Sequence, residues 1–110
     1  MNIEVKIFQE NENAEVRIAG EIDAFTAPIL REKLAEVDVN ENLQATLNFE
    51  EVNYMDSTGL GVIVAFFKNV NAHGGKVTLT GLSSRLKRLF DITGLGEIMN
   101  IDDQQKGGND

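Results

Sequence analysis

The beginning of the chain alternates between apolar and polar side chains with a period of two, which is the pattern of half-buried strands. Two apolar rows follow this pattern: Ile3, Val5 and Ile7, then Ala14, Val16 and Ile18. The polar residues 11–13 between the rows are typical of a turn, and Gly20 is expected to end the second strand. The pattern therefore predicts an antiparallel hairpin.

The period changes to that of a helix from Phe25 onward. The apolar face of this first helix consists of residues three or four apart: Ala27, Leu30, Leu34 and Val37. Thr26 or Asp23 is the expected N-cap, because a short side-chain oxygen there accepts a hydrogen bond from a free helix amide. Pro28 lies in the first turn, where its missing N–H is tolerated.

The rest of the chain alternates between short strand patterns and helix patterns. The predicted segments are a strand over residues 45–49, a polar loop over 50–56, a helix over 57–72, a strand over 76–80, a helix capped by Ser83 or Ser84 and closed by Gly94, and a last strand over 98–101. Leu47 and Phe49 are candidate core residues of the third strand, and Gly74 with Gly75 ends the second helix.

This order of strands and helices predicts a single α/β domain. Strands joined through helices favour right-handed crossovers and parallel pairing, so the sheet is expected to be mixed, with four or five strands. The domain is expected to cover residues 1–101. Residues 102–110 are polar or glycine and are expected to form a disordered tail, because they offer nothing to pack.

Composition and charge indicate that the binding partner is a protein. The 110-residue chain carries 18 acidic and 10 basic side chains, a net charge of -8, and such a field repels nucleic acid and anionic membranes. It contains no cysteine and therefore no disulfide framework. Its N-terminus is too polar for a signal peptide. We expect a cytoplasmic protein that is a monomer when free.

The chain offers little material for catalysis. His73 is the single histidine, and with no cysteine the usual zinc ligand sets cannot be assembled. His73 is expected to cap the end of the second helix. A hydrolase triad with Ser57 fails on geometry, since the helix separates the two by about 24 Å. No enzymatic activity, no metal and no cofactor are expected.

The segment Asp56-Ser57-Thr58-Gly59-Leu60-Gly61 at the start of the second helix is unusual. Asp56 or Ser57 can serve as its N-cap. Each glycine in a first turn costs roughly 1 kcal/mol relative to alanine, and close approach of another chain would explain that cost. The hydroxyls of Ser57 and Thr58 at a helix N-terminus can accept a phosphate without breaking the helix, because the dipole offsets the added charge.

This six-residue segment resembles the Asp-Ser-Ser/Thr-Gly-Leu-Gly signature of STAS-domain anti-sigma factor antagonists. Gly20-Glu21-Ile22-Asp23 is similar to the turn before the first helix of that family, and Gly81-Leu82-Ser83 to the segment before its third. The resemblance extends from the first strand to about Ile101. It implies a mixed sheet with helices packed mainly on one face.

The resemblance also implies a phosphorylation switch. The unphosphorylated antagonist would bind an anti-sigma factor that is also a serine kinase, and so free the sigma factor. That kinase would inactivate it at Ser57, with Thr58 as a minor acceptor, and a PP2C-type phosphatase would restore it. Asp23 and Asp56 would either orient the kinase or cap helices. The alternative within the family is a scaffold or small-ligand-binding signalling module that is not phosphorylated.

A helical projection of the second helix predicts where the partner binds. At 100° per residue, one arc faces the sheet: Leu60, Ile63, Val64, Phe67 and Val70. The opposite side consists of Gly61, Val62, Ala65 and Asn69. We expect this side to contact the anti-sigma factor, together with Asp23, Asp56, Thr58 and Gly59. Val62→Lys is then expected to weaken the complex and leave the fold intact.

Overall fold

The computed structural model of the chain describes residues 2–97 and 100–102. Within these ranges the strands and helices follow the predicted order: β1 Ile3–Glu10, β2 Asn13–Ile22, α1 Ala27–Leu34, β3 Gln44–Met55, α2 Ser57–Ala72, β4 Lys76–Thr80, α3 Ser84–Ile92, a 3-10 turn Leu95–Glu97, and β5 Asn100–Asp102. The predicted limits of α2 and β4 agree with the structure residue for residue.

The strands form one mixed sheet in the order β1-β2-β3-β4-β5. β1 and β2 pair antiparallel, as the predicted hairpin requires, and the pairs β2–β3, β3–β4 and β4–β5 are parallel. Because β2, β3 and β4 run in the same direction, their carboxyl ends point toward the same edge of the sheet. The segments that follow β2 and β3 therefore leave the sheet side by side.

One face of the sheet carries the core. Across β2, β3 and β4 the buried residues are register partners in two rows: Ala14, Ala45, Val77 and then Val16, Leu47, Leu79. Phe49 of β3 extends this face and meets Phe90 of α3 edge to face, with 6.4 Å between ring centroids. Burial of Leu47 and Phe49 confirms the predicted core of the third strand. The helices cover this face, as the resemblance implies.

β3 is longer than predicted, because residues 50–55 continue the strand where a polar loop was expected. Its pairing with β2 shifts twice, opposite the steps Arg17/Ala19 and Gly20/Glu21, and each shift places one extra residue in β3. Such bulges break the period of two. The buried residues of this half of β3 are consequently three apart, namely Phe49, Val52 and Met55. The prediction of a loop was wrong for this reason.

Three other limits differ from the predictions. α1 covers Ala27–Leu34, so it begins after Phe25 and ends before Val37, which the predicted helix included. β2 continues through Gly20 to Ile22; Gly20 has φ +107°, and a Cβ there would overlap the Asn2 carbonyl oxygen, so glycine permits the strand to bend rather than end. β5 includes Asp102, one residue beyond the predicted domain limit. Residues 98–99 of the predicted last strand and residues 103–110 of the predicted tail lie outside the described residues.

Candidate functional site

The carboxyl ends of β2 and β3 bring two acidic turns together. Ile22 and Met55 are register partners at the last step of this pair. The Asp56 amide then donates to the Ile22 carbonyl oxygen at 3.2 Å, which extends the pairing by one residue. Asp23 follows Ile22 directly, so Asp23 and Asp56 begin adjacent segments at one edge of the sheet.

Asp56 is the N-cap of α2. Its backbone is extended, with φ -108° and ψ -172°, and its carboxylate accepts hydrogen bonds from the amides of Thr58 at 2.9 Å and Gly59 at 3.2 Å. The Asp56 carbonyl oxygen accepts the Leu60 amide at 3.0 Å. Of the two candidate N-caps, Asp56 is therefore the one that the structure uses.

Ser57 is the first residue of α2, and its side chain is exposed, as is that of Thr58. The Ser57 hydroxyl has no hydrogen-bond partner among the described residues. The helix amides nearest to it, those of Thr58 and Gly59, are already bound by the Asp56 carboxylate. Ser57 therefore presents a free hydroxyl to solvent on a fixed helix end.

The turn after β2 is held by an internal hydrogen-bond network. The Asp23 carboxylate accepts the amides of Phe25 at 2.9 Å and Thr26 at 3.0 Å. The Thr26 hydroxyl is buried, donates to the Glu21 carbonyl oxygen at 2.7 Å and accepts the Asp23 amide at 2.9 Å. Thr26 occupies the N-cap position of α1, but its side chain bonds the turn instead of a helix amide. Both predicted caps thus contribute to one rigid turn.

We call the side of α2 that was predicted to face away from the sheet, Gly61, Val62, Ala65 and Asn69, the outer strip. The structure agrees with this prediction only in part. Gly61, Ala65 and Asn69 are exposed, but Val62 is 2% exposed and the prediction that it faces outward was wrong. The cause is α1, which packs beside α2. Val62 and Phe66 line the groove between these helices, so the buried arc of α2 faces both the sheet and α1, and Phe66 belongs to the core.

Gly59 is also buried, which removes it from the surface available to a partner. A Cβ at this position would overlap Ile22 Cγ2 and lie 2.9 Å from Met55 Cγ. The close approach that its small size permits is therefore between α2 and the sheet of this same chain. At Gly61 a Cβ would meet nothing within 4 Å. Only Gly61 remains open to the solvent side of the helix.

Sequence reasoning missed the exposed apolar side chains beside this edge: Tyr54 on β3 is 48% exposed, and two more lie in and after the turn that Asp23 holds. Phe25, in the turn held by Asp23, is 78% exposed, and Ile29 in the first turn of α1 is 48% exposed. The periodicity assigned Phe25 only to the start of a helix. The sequence feature that could have predicted the exposure of Phe25 is its position two residues after Asp23. The Asp23 carboxylate fixes the backbone of this turn and leaves the ring outside the core.

The remaining sequence candidates lie away from this edge. His73 follows the last residue of α2, where its Nδ1 is 2.8 Å from the Asn69 carbonyl oxygen, which confirms its predicted contact with a helix-end carbonyl. In residues 2–97 and 100–102, no group of three or more His, Cys, Asp or Glu residues is placed to hold a metal ion. Over the same ranges, no helix is long and apolar enough to cross a bilayer.

Fold and site together define a small α/β domain with an exposed serine at a helix N-terminus. The model of the STAS domain family matches residues 3–106, and the chain belongs to that family. It is 48% identical to the anti-sigma-B factor antagonist of Bacillus subtilis, over 98% of both chains. It is 43% identical to the anti-sigma-B factor antagonist of Listeria monocytogenes, over 99% of both chains.

A solved structure shares the fold. The phosphorylated form of SpoIIAA, a Bacillus cell fate determinant, matches with a TM-score of 0.70 at 23% identity, over 94% of this chain and 96% of that one. The resemblance seen in the sequence is thereby confirmed at the level of family and fold.

Proposed function

We propose that this chain is an anti-sigma factor antagonist whose activity is switched at Ser57. In its unmodified form it binds an anti-sigma factor and so frees a sigma factor. The observation that carries the proposal is the free, exposed hydroxyl of Ser57 at the start of α2, directly after the capping Asp56. Relatives of nearly equal length with 43% and 48% identity carry the name anti-sigma-B factor antagonist.

The local charges explain how a phosphate could act as a switch without unfolding the domain. A phosphoserine adds about 1.5 to 2 negative charges. Residues 18–30 and 49–67, which contain Asp23 and Ser57, include no Lys or Arg; the basic residues that come next along the chain are Arg17, Arg31 and Lys68. The Asp56 carboxylate already holds the nearest helix amides. The helix dipole offsets the added charge by up to about 1 kcal/mol. The phosphate therefore stays at the surface, unpaired within these segments.

Binding of a partner would turn this surface charge into a buried one. A charge left without a partner in an interface costs on the order of 2–5 kcal/mol, which is roughly 30-fold to several thousand-fold in affinity. Release then needs no large conformational change. The contact surface in this proposal comprises the start of α2 with Asp23, Asp56 and Thr58, and the exposed residues of the outer strip, Gly61, Ala65 and Asn69.

The proposed cycle assigns the catalytic steps to other proteins. The anti-sigma factor acts as a serine kinase that transfers the γ-phosphoryl group of ATP to the Ser57 hydroxyl, with Thr58 a minor acceptor. A PP2C-type phosphatase hydrolyses the phosphoserine. This chain is the substrate of both enzymes and catalyses neither reaction. We place the cycle in the cytoplasm, where sigma factors bind RNA polymerase.

Phosphosite mapping tests the switch. The chain is incubated with ATP and the anti-sigma factor encoded by the same genome, and we expect strong labelling of the parent and of Thr58→Ala and at most weak labelling of Ser57→Ala. Equal labelling of Ser57→Ala and the parent would contradict the assignment of Ser57. A parent that is neither labelled nor bound by the anti-sigma factor would favour the scaffold alternative.

A matched pair at Asp56 separates capping from kinase recognition. Asn is as good an N-cap as Asp, so Asp56→Asn removes the charge and keeps the hydrogen bonds to Thr58 and Gly59. Asp56→Ala removes both and is expected to cost about 1 kcal/mol of stability. We expect Asp56→Asn to keep the melting temperature and to lower the labelling rate of Ser57. An unchanged rate in Asp56→Asn would assign Asp56 to capping alone.

A further inference from the structure

Two large apolar side chains lie exposed beside the switch. Phe25 is 78% exposed and Ile29 is 48% exposed, and they are four residues apart where α1 begins. We call them the Phe25–Ile29 patch. Single exposed apolar residues are ordinary, but an exposed pair with an aromatic member beside a proposed interface requires an explanation.

The backbone that carries Phe25 is fixed before any partner binds. The Phe25 amide donates to the Asp23 carboxylate at 2.9 Å. The next residue, Thr26, is 1% exposed and ties the same turn to the Glu21 carbonyl oxygen at 2.7 Å. A side chain presented by a rigid turn loses little conformational entropy on binding, which favours its use as a contact residue.

The outer strip of α2 offers no comparable contact. Its exposed residues Gly61, Ala65 and Asn69 are small or polar, and Val62 is buried against α1. Binding energy in protein interfaces concentrates in a few large side chains that fill pockets of the partner. A partner that contacts Ser57 therefore needs a large apolar contact from a neighbouring element.

The Phe25–Ile29 patch is close enough to Ser57 to be covered by the same partner. The Asp56 amide donates to the Ile22 carbonyl oxygen, and Ser57 follows Asp56. Phe25 is three residues beyond Ile22, so the Cα atoms of these two residues are at most about 11 Å apart. A standard interface covers about 800 Å² of each partner, or roughly 30 Å across. One bound protein would thus span Ser57 and the patch.

We propose that the Phe25–Ile29 patch inserts into an apolar pocket of the anti-sigma factor and is an interface hot spot of the unphosphorylated complex. This inference rests on the proposed function, since it names the contact that the same partner makes. Ser57 then decides whether the complex can form, and Phe25 decides how tightly. This division of roles between Ser57 and Phe25 explains how a surface whose outer strip on α2 has only small or polar exposed residues can still bind a protein.

Calorimetric titration of unphosphorylated variants with the anti-sigma factor tests the proposal. Phe25→Ser is expected to weaken binding at least about 30-fold, as for an interface hot spot, and Ile29→Ser by a smaller factor. Phe8 is 52% exposed and Ile92 is 74% exposed, on β1 and α3. Phe8→Ser and Ile92→Ser are the matched controls, and we expect both to bind like the parent. Melting temperatures of all four establish that each is folded.

The outcomes separate this inference from the proposed function. A parent chain that does not bind the anti-sigma factor would overturn the proposed function itself. A parent that binds, with Phe25→Ser binding equally well, would overturn the patch alone. Equal weakening by Phe25→Ser and Phe8→Ser would also overturn it, because the effect would not depend on position.

A second measurement uses the absence of tryptophan from the chain. Phe25→Trp places a single indole at the patch and Phe8→Trp places one on β1. Relative to the parent complex, the added emission of Phe25→Trp is expected to shift to the blue on binding, since the ring leaves water. That of Phe8→Trp is expected to stay unchanged. An indole at position 25 that remains solvated in the complex would contradict insertion.

Discussion

Gly59 and Gly61 lie in the same turn of α2 but differ in their surroundings. At Gly59 the helix packs against Ile22 of β2 and Met55 of β3, and a methyl group there would overlap the Ile22 side chain. Gly61 faces open space. Only the first glycine is required by the packing of the chain. The second is a cost to helix stability that packing within this chain does not explain.

Alanine at each position tests this difference. Gly59→Ala is expected to lower the free energy of unfolding by about 1–2 kcal/mol, because overpacking outweighs the gain in helix propensity. Gly61→Ala is expected to raise it by up to about 1 kcal/mol, since only the propensity term acts. Urea titration of both variants measures the two values. A stabilised Gly59→Ala would show that α2 can move away from Ile22 at no cost.

At the site, the sequence predicted the features that depend on neighbouring residues in the chain and failed for a feature that depends on a distant element. Asp56 as a helix cap and the exposure of Ser57 follow from local rules, because an N-cap and the residue after it act within one turn. The orientation of Val62 depends on α1, a different part of the chain. A helical projection with one buried side cannot represent a helix that packs against both a sheet and a second helix.

At the scale of the elements, the limits of α2 were predicted better than those of β3. The limits of α2 are marked in the sequence by Asp56 before it and Gly74 after it, and local signals of this kind are sufficient to define a helix. The second half of β3 has no such signal. Its two bulges place the buried residues Val52 and Met55 three apart, so its pattern matches no regular strand and only pairing with β2 reveals it.

The extension of β3 predicts which substitutions in residues 50–55 are damaging. Met55 is 7% exposed, and Met55→Ala is expected to cost about 2–4 kcal/mol through the cavity it leaves. Asn53 is exposed, and Asn53→Ala is expected to stay within about 0.5 kcal/mol of the parent. Urea unfolding of the pair is the measurement. Similar small losses in both variants would mean that this segment behaves as a loop.

At the scale of the whole molecule, Ser57 and the Phe25–Ile29 patch lie on the helix side of the sheet. The sheet face opposite the core carries polar side chains such as Glu15, Arg17 and Thr46 on β2 and β3, and the pair Arg17–Glu15 forms an ion pair at 3.2 Å. The helices on the core side present the switch, the outer strip of α2 and the Phe25–Ile29 patch. A partner of the switch therefore approaches from the helix side.

The net charge of -8 raises the question of whether phosphorylation acts by long-range repulsion or by burial of the new charge at Ser57. Long-range repulsion is screened as the Debye length falls from about 10 Å at 0.1 M salt to about 3 Å at 1 M, whereas a charge buried in an interface is screened much less. Because Ser57 lies beside the proposed contact residues, we expect burial to dominate.

The ratio of affinities for the unmodified and phosphorylated forms, measured at both salt concentrations, distinguishes these causes. Phosphorylation is expected to weaken binding at least about 30-fold at 0.1 M salt, and most of that factor should persist at 1 M. Taking the ratio cancels the effect of salt on contacts that both forms share. A ratio that falls to within about twofold of unity at 1 M would identify long-range repulsion as the cause, and the phosphate would then act on the approach of the partner instead of on the bound complex.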